Sequence, residues 1–338
     1  MIHVGVDLHQ RFCYMTVMDA RGKILSAGPV SNEKLALRRY FRQFRGQGVE
    51  AAVEACGFWA AFREVVEPEV KRLVLVHPQR VKAIASAKLK NDRVDSATLA
   101  HLLRCDLLPE SWKADRETQA RRQQVRLRTT LVRQRTRLKN QVHAVLHQQG
   151  LRSPVTDLFG KRGRLWLAGV KLPEQARESV QACLRMIDHY GEEIQKQNLQ
   201  LSEKAGEDRR AQWLMTIPGI GECSAMMLLA EIGDIGRFGS KQGLCSYAGL
   251  VPRVRESAGK AARSGITRQG SSWLRWIMVE AAQVATRCSP AAKRYYERLS
   301  RKKHKHVARV ALARKLLIAV YALLHDGVVF EEEKFAAV

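Results

Sequence analysis

Short apolar runs separated by turn signals fill the first part of the chain and constrain its fold more than any other feature. Residues 2–6 form a β-branched run that ends at Asp7, and residues 13–18 form a second run. Asp19-Ala20-Arg21-Gly22 then predicts a hairpin turn, after which residues 23–30 return as a third strand. We therefore expect the chain to begin with three antiparallel strands.

Helices alternate with strands after these three. The predicted elements are a helix opened by a capping sequence at 31–33, a strand ending at Glu54, a helix over 58–66, a strand over 72–76 and a helix over 92–105. Three antiparallel strands followed by parallel crossovers are typical of a ribonuclease-H-like nuclease core. An α/β domain with a mixed sheet is predicted over residues 1–112.

The charge of the chain indicates a polyanionic partner. It carries 58 Lys and Arg against 33 Asp and Glu, a net charge of +25. Residues 1–112 hold 17 basic and 12 acidic residues, whereas residues 113–338 hold 41 and 21. No apolar run approaches the ~20 residues that span a bilayer, and no signal peptide is evident. Nucleic acid is thus the favoured partner, and no membrane is expected.

The cysteines indicate the compartment. Seven are scattered along the chain without a Cys-x-x-Cys pair, which favours free thiols in a reducing cytoplasm over disulfides or a zinc site. We expect a cytoplasmic protein, and the nucleic-acid partner favoured by its charge would associate it with the nucleoid.

Four acidic residues predict a metal site. Asp7 and Glu54 end two strands that would be neighbours, and Asp92 and Asp95 share one face at the start of a helix. Each alone has an ordinary structural explanation, as a turn residue or a partner of the helix dipole. Together they would repel one another unless cations neutralise them, which suits two Mg²⁺ ions, with Mn²⁺ as a substitute. Two such ions support phosphoryl transfer.

The sequence around these acids resembles the DEDD motif of a transposase family. The matching segments are Val4-Gly5-Val6-Asp7, Val53-Glu54-Ala55-Cys56-Gly57 and Lys90-Asn91-Asp92-Arg93-Val94-Asp95. The family is the insertion-sequence "one-ten" family, which includes the Piv-type DNA invertases, and the resemblance covers nearly the whole chain. It implies a RuvC-like first domain in which the four acids match Asp7, Glu54, Asp92 and Asp95. Cys56 stands where relatives often have threonine.

Two long helices are predicted to form a separate region over 113–208. Residues 116–148 lack proline and glycine and carry Leu131, Leu138 and Val145 at heptad spacing, and the second helix (173–204) carries Ile187, Ile194 and Leu201. They would form either an antiparallel hairpin or a dimer seam, as in a coiled coil. The first helix is strongly basic between residues 116 and 139. Its candidate nucleic-acid contacts are Arg126, Arg133 and Arg137.

A glycine motif lies near the start of the last region, 209–338, which is predicted to be mostly helical. Pro218-Gly219-Ile220-Gly221 indicates a helix-hairpin-helix, in which Gly219 and Gly221 would let backbone N–H groups approach a phosphate. The alternative is an ordinary turn between two helices.

The glycine-rich connection over 247–270 is similar to the C-terminal transposase domain of the same family. In that family a serine in this loop is the nucleophile, and Ser257 matches it by position. Without the resemblance, a serine in a glycine-rich connection is most simply explained as a loop residue. The other candidates for the nucleophile are Ser264, Ser271 and Ser272. Basic residues that could neutralise phosphates surround it, namely Arg253, Arg255, Lys260, Arg263 and Arg268.

The favoured function is therefore a transposase or site-specific recombinase acting on double-stranded donor and target DNA. The resemblance further implies a structured noncoding guide RNA and assembly into homodimers or tetramers. One alternative is a RuvC-type structure-selective nuclease that needs the acids but not Ser257. A Piv-like invertase would differ only in its DNA sites. A non-enzymatic nucleic-acid-binding protein, in which the acids are structural, is the remaining alternative.

Overall fold

The structure is a computed structural model that describes residues 1–84, 91–257 and 260–337, with the backbone alone for 79, 254–257, 260–264 and 337. The chain divides into two compact units, residues 1–113 and 114–338.

A five-stranded mixed sheet forms the centre of the first unit. Its strands are β1 (Ile2–Leu8), β2 (Phe12–Asp19), β3 (Ile24–Ser31), β4 (Val49–Glu54) and β5 (Arg72–Val76), and its helices are α1 (Lys34–Arg42), α2 (Trp59–Val66), α3 (Pro78–Ile84) and α4 (Asp92–Arg104). The sheet order is β3-β2-β1-β4-β5. The first three strands pair antiparallel, and β1, β4 and β5 pair parallel. The predicted mixed sheet is confirmed, and α3 is an additional helix.

Alternating side chains of the strands build a core on each face of the sheet. Val4 and Val6 point to one face, where they pack in a cluster with Phe41 of α1 and Phe62 of α2. The residues between them point to the opposite face, which α4 covers. The chemistry of this unit is therefore expected on the α4 face.

Gly5 allows α4 to lie directly on the sheet. A Cβ atom at this position would stand 1.9 Å from the backbone oxygen of Ser96 and 2.5 Å from the backbone nitrogen of Ala100. The buried hydroxyl groups of Thr16 and Ser96 lie 2.8 Å apart and form a hydrogen bond that joins β2 to the same helix. The glycine before the first acid thus fixes where α4 begins relative to β1.

We expect Gly5→Ala to displace α4 and to lower the free energy of unfolding by about 3 kcal/mol, because the added methyl group meets backbone atoms that cannot rotate away. Denaturant unfolding followed by circular dichroism measures this. Gly28→Ala is the matched control, since a Cβ at Gly28 meets no atom within 4 Å and its stability should change little. Equal stability of the two variants would contradict the close approach of α4.

The second unit is helical except for one hairpin. Its helices are α5 (Arg116–Gln148), α6 (Lys161–Gly169), α7 (Glu174–Glu207), α8 (Arg209–Met215), α9 (Glu222–Ile232), α10 (Lys241–Tyr247), α11 (Ser272–Cys288), α12 (Pro290–Ser300), α13 (Lys305–Asp326) and α14 (Glu332–Ala337), and its strands are β6 (Pro252–Ser257) and β7 (Lys260–Ile266). In the part of the chain that the structure describes, no helix has both the length and the apolar character to cross a membrane.

The long helices α5 and α7 run side by side in opposite directions. Arg128 donates a hydrogen bond to Asn198 at 2.9 Å, and Lys204 donates one to Gln124 at 2.7 Å. The heptad positions of α7 are buried, whereas those of α5 are only half-buried. The buried residues of α5 are instead Val125, Thr129, Val142 and Leu146. The two helices thus form an antiparallel hairpin within the unit, and their use as a dimer seam stays a prediction.

Candidate active site

The carboxyl ends of two neighbouring strands bring Asp7 and Glu54 together. Val6 of β1 is paired with Val53 of β4, so Asp7 and Glu54 are the next residues along two parallel strands. Residues in register on adjacent parallel strands point to the same face, with backbones about 4.8 Å apart. Both acids therefore stand on the α4 face, at one edge of the sheet.

The first turn of α4 adds the remaining two acids. Asn91 caps the helix by accepting a hydrogen bond of 2.8 Å from the backbone of Val94, and the helix begins at Asp92. Ligand atoms of Asp7, His9 and Asp92 lie within 4.8 Å of one another and form the one close group of possible metal ligands among the described residues. Asp95 lies in the same first turn, three residues after Asp92. The carboxylates of Glu54 and Asp95 are outside this close triad.

The electrostatics of Asp7 fit a cation site. Burial raises the pKa of Asp7 above its usual value, His9 opposes this, and the negative charges of Asp92 and Asp95 raise the pKa further. Ionisation of Asp7 therefore costs free energy unless a positive charge compensates it. A divalent cation among these oxygen donors would provide that charge, so the residues present fit a hard metal ion.

His9 is part of this site although the sequence analysis did not single it out. Its Nε2 atom lies 3.3 Å from Asp7 Oδ2 and 3.4 Å from Asp92 Oδ2. The available signal was its position two residues after Asp7, in the turn that directly follows β1. A search restricted to acidic residues misses it.

Ser257 is the last residue of a strand rather than part of an irregular loop. β6 and β7 pair antiparallel, with Ser257 opposite Lys260 and Pro252 opposite Ile266. A two-stranded hairpin is held by its own ladder of backbone hydrogen bonds, so it can form from a glycine-rich, charged sequence without apolar alternation. Ala258 and Gly259 lie outside the described residues, as do the side chains of Arg255, Ser257, Lys260, Arg263 and Ser264. Arg253 and Arg268 are exposed.

A buried carboxylate supports the base of this hairpin. Glu231 of α9 is only 1% exposed, and it accepts hydrogen bonds from Arg126 at 2.8 and 3.0 Å and from the Ser271 hydroxyl at 2.9 Å. Ser271 also caps α11 by accepting from the backbone of Leu274. Its backbone N–H donates to the Tyr247 carbonyl oxygen at 2.8 Å. Ser271 therefore has a structural role beneath the hairpin.

The three arginines predicted on α5 have different surroundings. Arg126 is held by the buried Glu231, and the guanidinium of Arg133 lies 4.5 Å from the ring centre of Trp273 and 5.3 Å from that of Trp276. Arg133 and Arg137 are both exposed, whereas Arg126 is half-buried. Arg126 is thus the least accessible to a nucleic acid of the three.

We expect Arg126→Ala to lower the free energy of unfolding by about 3–5 kcal/mol, because it leaves the charge of Glu231 buried without its partner. Arg137→Ala, the matched control on the same helix, should leave stability within about 0.5 kcal/mol and weaken DNA binding instead. Thermal unfolding and fluorescence anisotropy with labelled duplex DNA separate the two effects. Arg126→Ala at wild-type stability would contradict the structural role of this ion pair.

The glycine motif before α9 has a packing role at its first glycine. Gly219 has a φ of +88°, and a Cβ on it would lie 2.4 Å from the backbone oxygen of Ala281 in α11. Ile217 and Ile220 beside it are buried. Gly221 precedes the start of α9 and has open space around it. Only Gly221 is thus free for a close phosphate approach, and the helix-hairpin-helix stays a prediction.

Comparison with known proteins gives matches over both units. Residues 4–150 match a family model for DEDD transposases of the IS110 type, described as "Transposase", and residues 211–297 match the model described as "Transposase IS116/IS110/IS902 family". Together these matches span roughly two thirds of the chain.

Relatives align over most of their length. The transposase for insertion sequence element IS1328 of Yersinia enterocolitica is 29% identical over 83% of this chain and 85% of its own. A probable family 20 transposase of Pseudomonas aeruginosa is 26% identical over 95% and 96%. The pilin gene-inverting protein of Moraxella bovis is 27% identical over 83% and 81%.

The mixed sheet with its acidic cluster and these matches together define an enzyme of the DNA transposase class, which cuts and rejoins DNA. More particularly, both units are similar to transposases of the IS110 type, because the first matches the DEDD model of that type and the second matches the IS116/IS110/IS902 model.

Proposed function

We propose that this chain cuts and rejoins double-stranded DNA with a Mg²⁺-dependent pocket made of Asp7, Glu54, Asp92 and Asp95, and with Ser257 as nucleophile. The observation that carries the proposal is the convergence of the Asp7 and Asp92 side chains beside the register position of Glu54. These residues come from three elements that are far apart in the sequence. Simple helix capping or a turn would not require their convergence.

Asp7 and Asp92 would hold divalent ions directly, with Asp95 and Glu54 completing the ligand set on either side. Two Mg²⁺ ions, or Mn²⁺ in their place, supply charge neutralisation at the scissile phosphate and polarise its oxygens. The chain's own contribution is to fix the positions of the carboxylates, and the packing of Gly5 against α4 and the Asn91 cap both serve this purpose.

Ser257 would form a covalent link to DNA. Its Oγ attacks the phosphorus, the bond from phosphorus to one DNA oxygen breaks, and that oxygen leaves as a hydroxyl group with the proton lost from the serine. One phosphoester bond replaces another, so the later attack of a DNA hydroxyl rejoins the strand without an external energy source. The exposed Arg253 and Arg268 at the ends of the hairpin would neutralise phosphates during this exchange.

A structured guide RNA is the further partner that we propose. The surplus of basic residues is concentrated in 113–338. A basic protein surface recognises the shape and the phosphate backbone of a folded RNA rather than the RNA's base sequence. Homodimers or tetramers would bring donor and target DNA together. Inversion, as in the Moraxella bovis relative, would use the same chemistry with its DNA sites arranged differently.

The test combines cleavage with adduct detection. The purified full chain is incubated with duplex DNA carrying the element ends, with Mg²⁺ or with EDTA, and protein–DNA adducts are resolved on denaturing gels. We expect an adduct only with Mg²⁺. Nucleic acid that co-purifies is extracted and treated with ribonuclease or deoxyribonuclease, and a discrete RNA is expected. Cleavage without a metal ion would contradict the proposed metal pocket, and the absence of bound RNA would contradict the proposed guide RNA.

A further inference from the structure

His9 is held rigidly in the turn between β1 and β2. Its backbone N–H donates to the Phe12 carbonyl oxygen at 3.0 Å, and its own carbonyl oxygen accepts from the Asn32 side-chain amide at 3.0 Å. Its ring packs against that of Phe12 with 5.0 Å between the centres. The backbone position of His9 is therefore set by these hydrogen bonds, and its ring is supported on one side by Phe12.

The Nε2 atom of His9 faces the carboxylates rather than solvent. The atom itself is buried, and two carboxylate oxygens, Oδ2 of Asp7 and Oδ2 of Asp92, lie 3.3 and 3.4 Å from it. A cation held by these two carboxylates would therefore also be within reach of Nε2.

The spacing of the three atoms matches that of ligands around one ion. Ligands at about 2.1 Å from an octahedral metal stand about 3 Å from their neighbours. The separations of Nε2 from Asp7 Oδ2 and from Asp92 Oδ2 are close to this, and all three ligand atoms lie within 4.8 Å of one another. Small movements would therefore place a single ion in contact with all three.

We propose that His9 binds one of the divalent ions through Nε2, so that one metal position has a mixed nitrogen and oxygen ligand set. Imidazole suits Zn²⁺, Fe²⁺ and other transition metals, whereas Mg²⁺ and Mn²⁺ also suit carboxylates, so an added imidazole shifts the site away from Mg²⁺. The inference rests on the proposed metal pocket and deepens it. It predicts that this chain binds Mn²⁺ more tightly than its acidic residues alone would.

The test is electron spin echo spectroscopy of the full chain loaded with Mn²⁺, because a histidine nitrogen bound to Mn²⁺ gives a characteristic nitrogen modulation. We expect the modulation in the wild-type protein and its loss in His9→Gln. His101→Gln is the matched control, since His101 is an exposed residue near the other end of α4, and this variant should keep the modulation. Titration of free Mn²⁺ by its solution signal should show at least about tenfold weaker binding for His9→Gln.

The outcomes separate the two proposals. Mn²⁺ binding without nitrogen modulation, or modulation that persists in His9→Gln, overturns the role of His9 and leaves the acidic pocket standing. No Mn²⁺ binding by the wild-type chain overturns both. Circular dichroism of each variant verifies that the fold is retained, so that a lost signal reports on the metal. An Asn substitution at His9 provides a second variant if Gln disturbs the turn.

Discussion

Asp92→Asn is expected to lower the rate of DNA strand cleavage by at least about a thousandfold, since a lost metal carboxylate removes several kcal/mol of transition-state stabilisation. Folding should be preserved. The change removes a favourable helix-dipole interaction of about 0.3–1 kcal/mol, but it also relieves repulsion with Asp7. Gel analysis of cleavage in the presence of Mg²⁺, together with thermal unfolding, measures the two effects separately.

Asp106→Asn is the control for this prediction. Asp106 lies in the same unit, its side chain is 84% exposed, and its φ of +52° is a conformation that asparagine tolerates well. This variant should cleave DNA at the wild-type rate. If Asp92→Asn also kept full activity, and EDTA had no effect, the acids would be structural and cleavage would not depend on a metal ion bound by them.

The sequence predicted the first unit well because its signals are local. Alternating apolar residues mark the strands, and the parallel crossovers bring the ends of β1 and β4 to one edge. The positions of Asp7 and Glu54 and the start of α4 could be predicted from that geometry. The closeness of His9 to two carboxylates could not be predicted, since it depends on how the turn after β1 folds back and on the contact of α4 with Gly5.

The second unit was less predictable because its important contacts are distant in sequence. Glu231 lies 105 residues from Arg126, and no local pattern distinguishes an arginine paired with a buried acid from one that faces solvent. The segment around Ser257 was expected as a glycine-rich loop, yet it forms a hairpin stabilised by its own strand pairing. The motif at Gly219 has the predicted turn, but its close contact is with α11.

Ser257→Ala is expected to abolish the covalent protein–DNA adduct and to reduce recombination by at least about a thousandfold, because no other group would form the phosphoserine link. The metal pocket is in the other unit of the chain and keeps its ligands. The affinity of Ser257→Ala for Mn²⁺, measured by the same titration of free Mn²⁺ that is used for His9→Gln, should therefore equal that of the wild-type protein. This separates loss of the nucleophile from loss of the metal site.

Substitutions of two neighbouring serines are the controls that test whether loss of the adduct is specific to Ser257. Ser272 is exposed in the first turn of α11, so Ser272→Ala should keep both the adduct and recombination. Ser271→Ala removes the cap of α11 and a hydrogen bond to Glu231, so it should lower stability by about 1 kcal/mol while the adduct still forms. Cleavage that continues in Ser257→Ala without any adduct would instead identify a metal-dependent nuclease that uses water. An adduct that persists in Ser257→Ala would assign the nucleophile to another residue, with Ser264 on β7 the next to change.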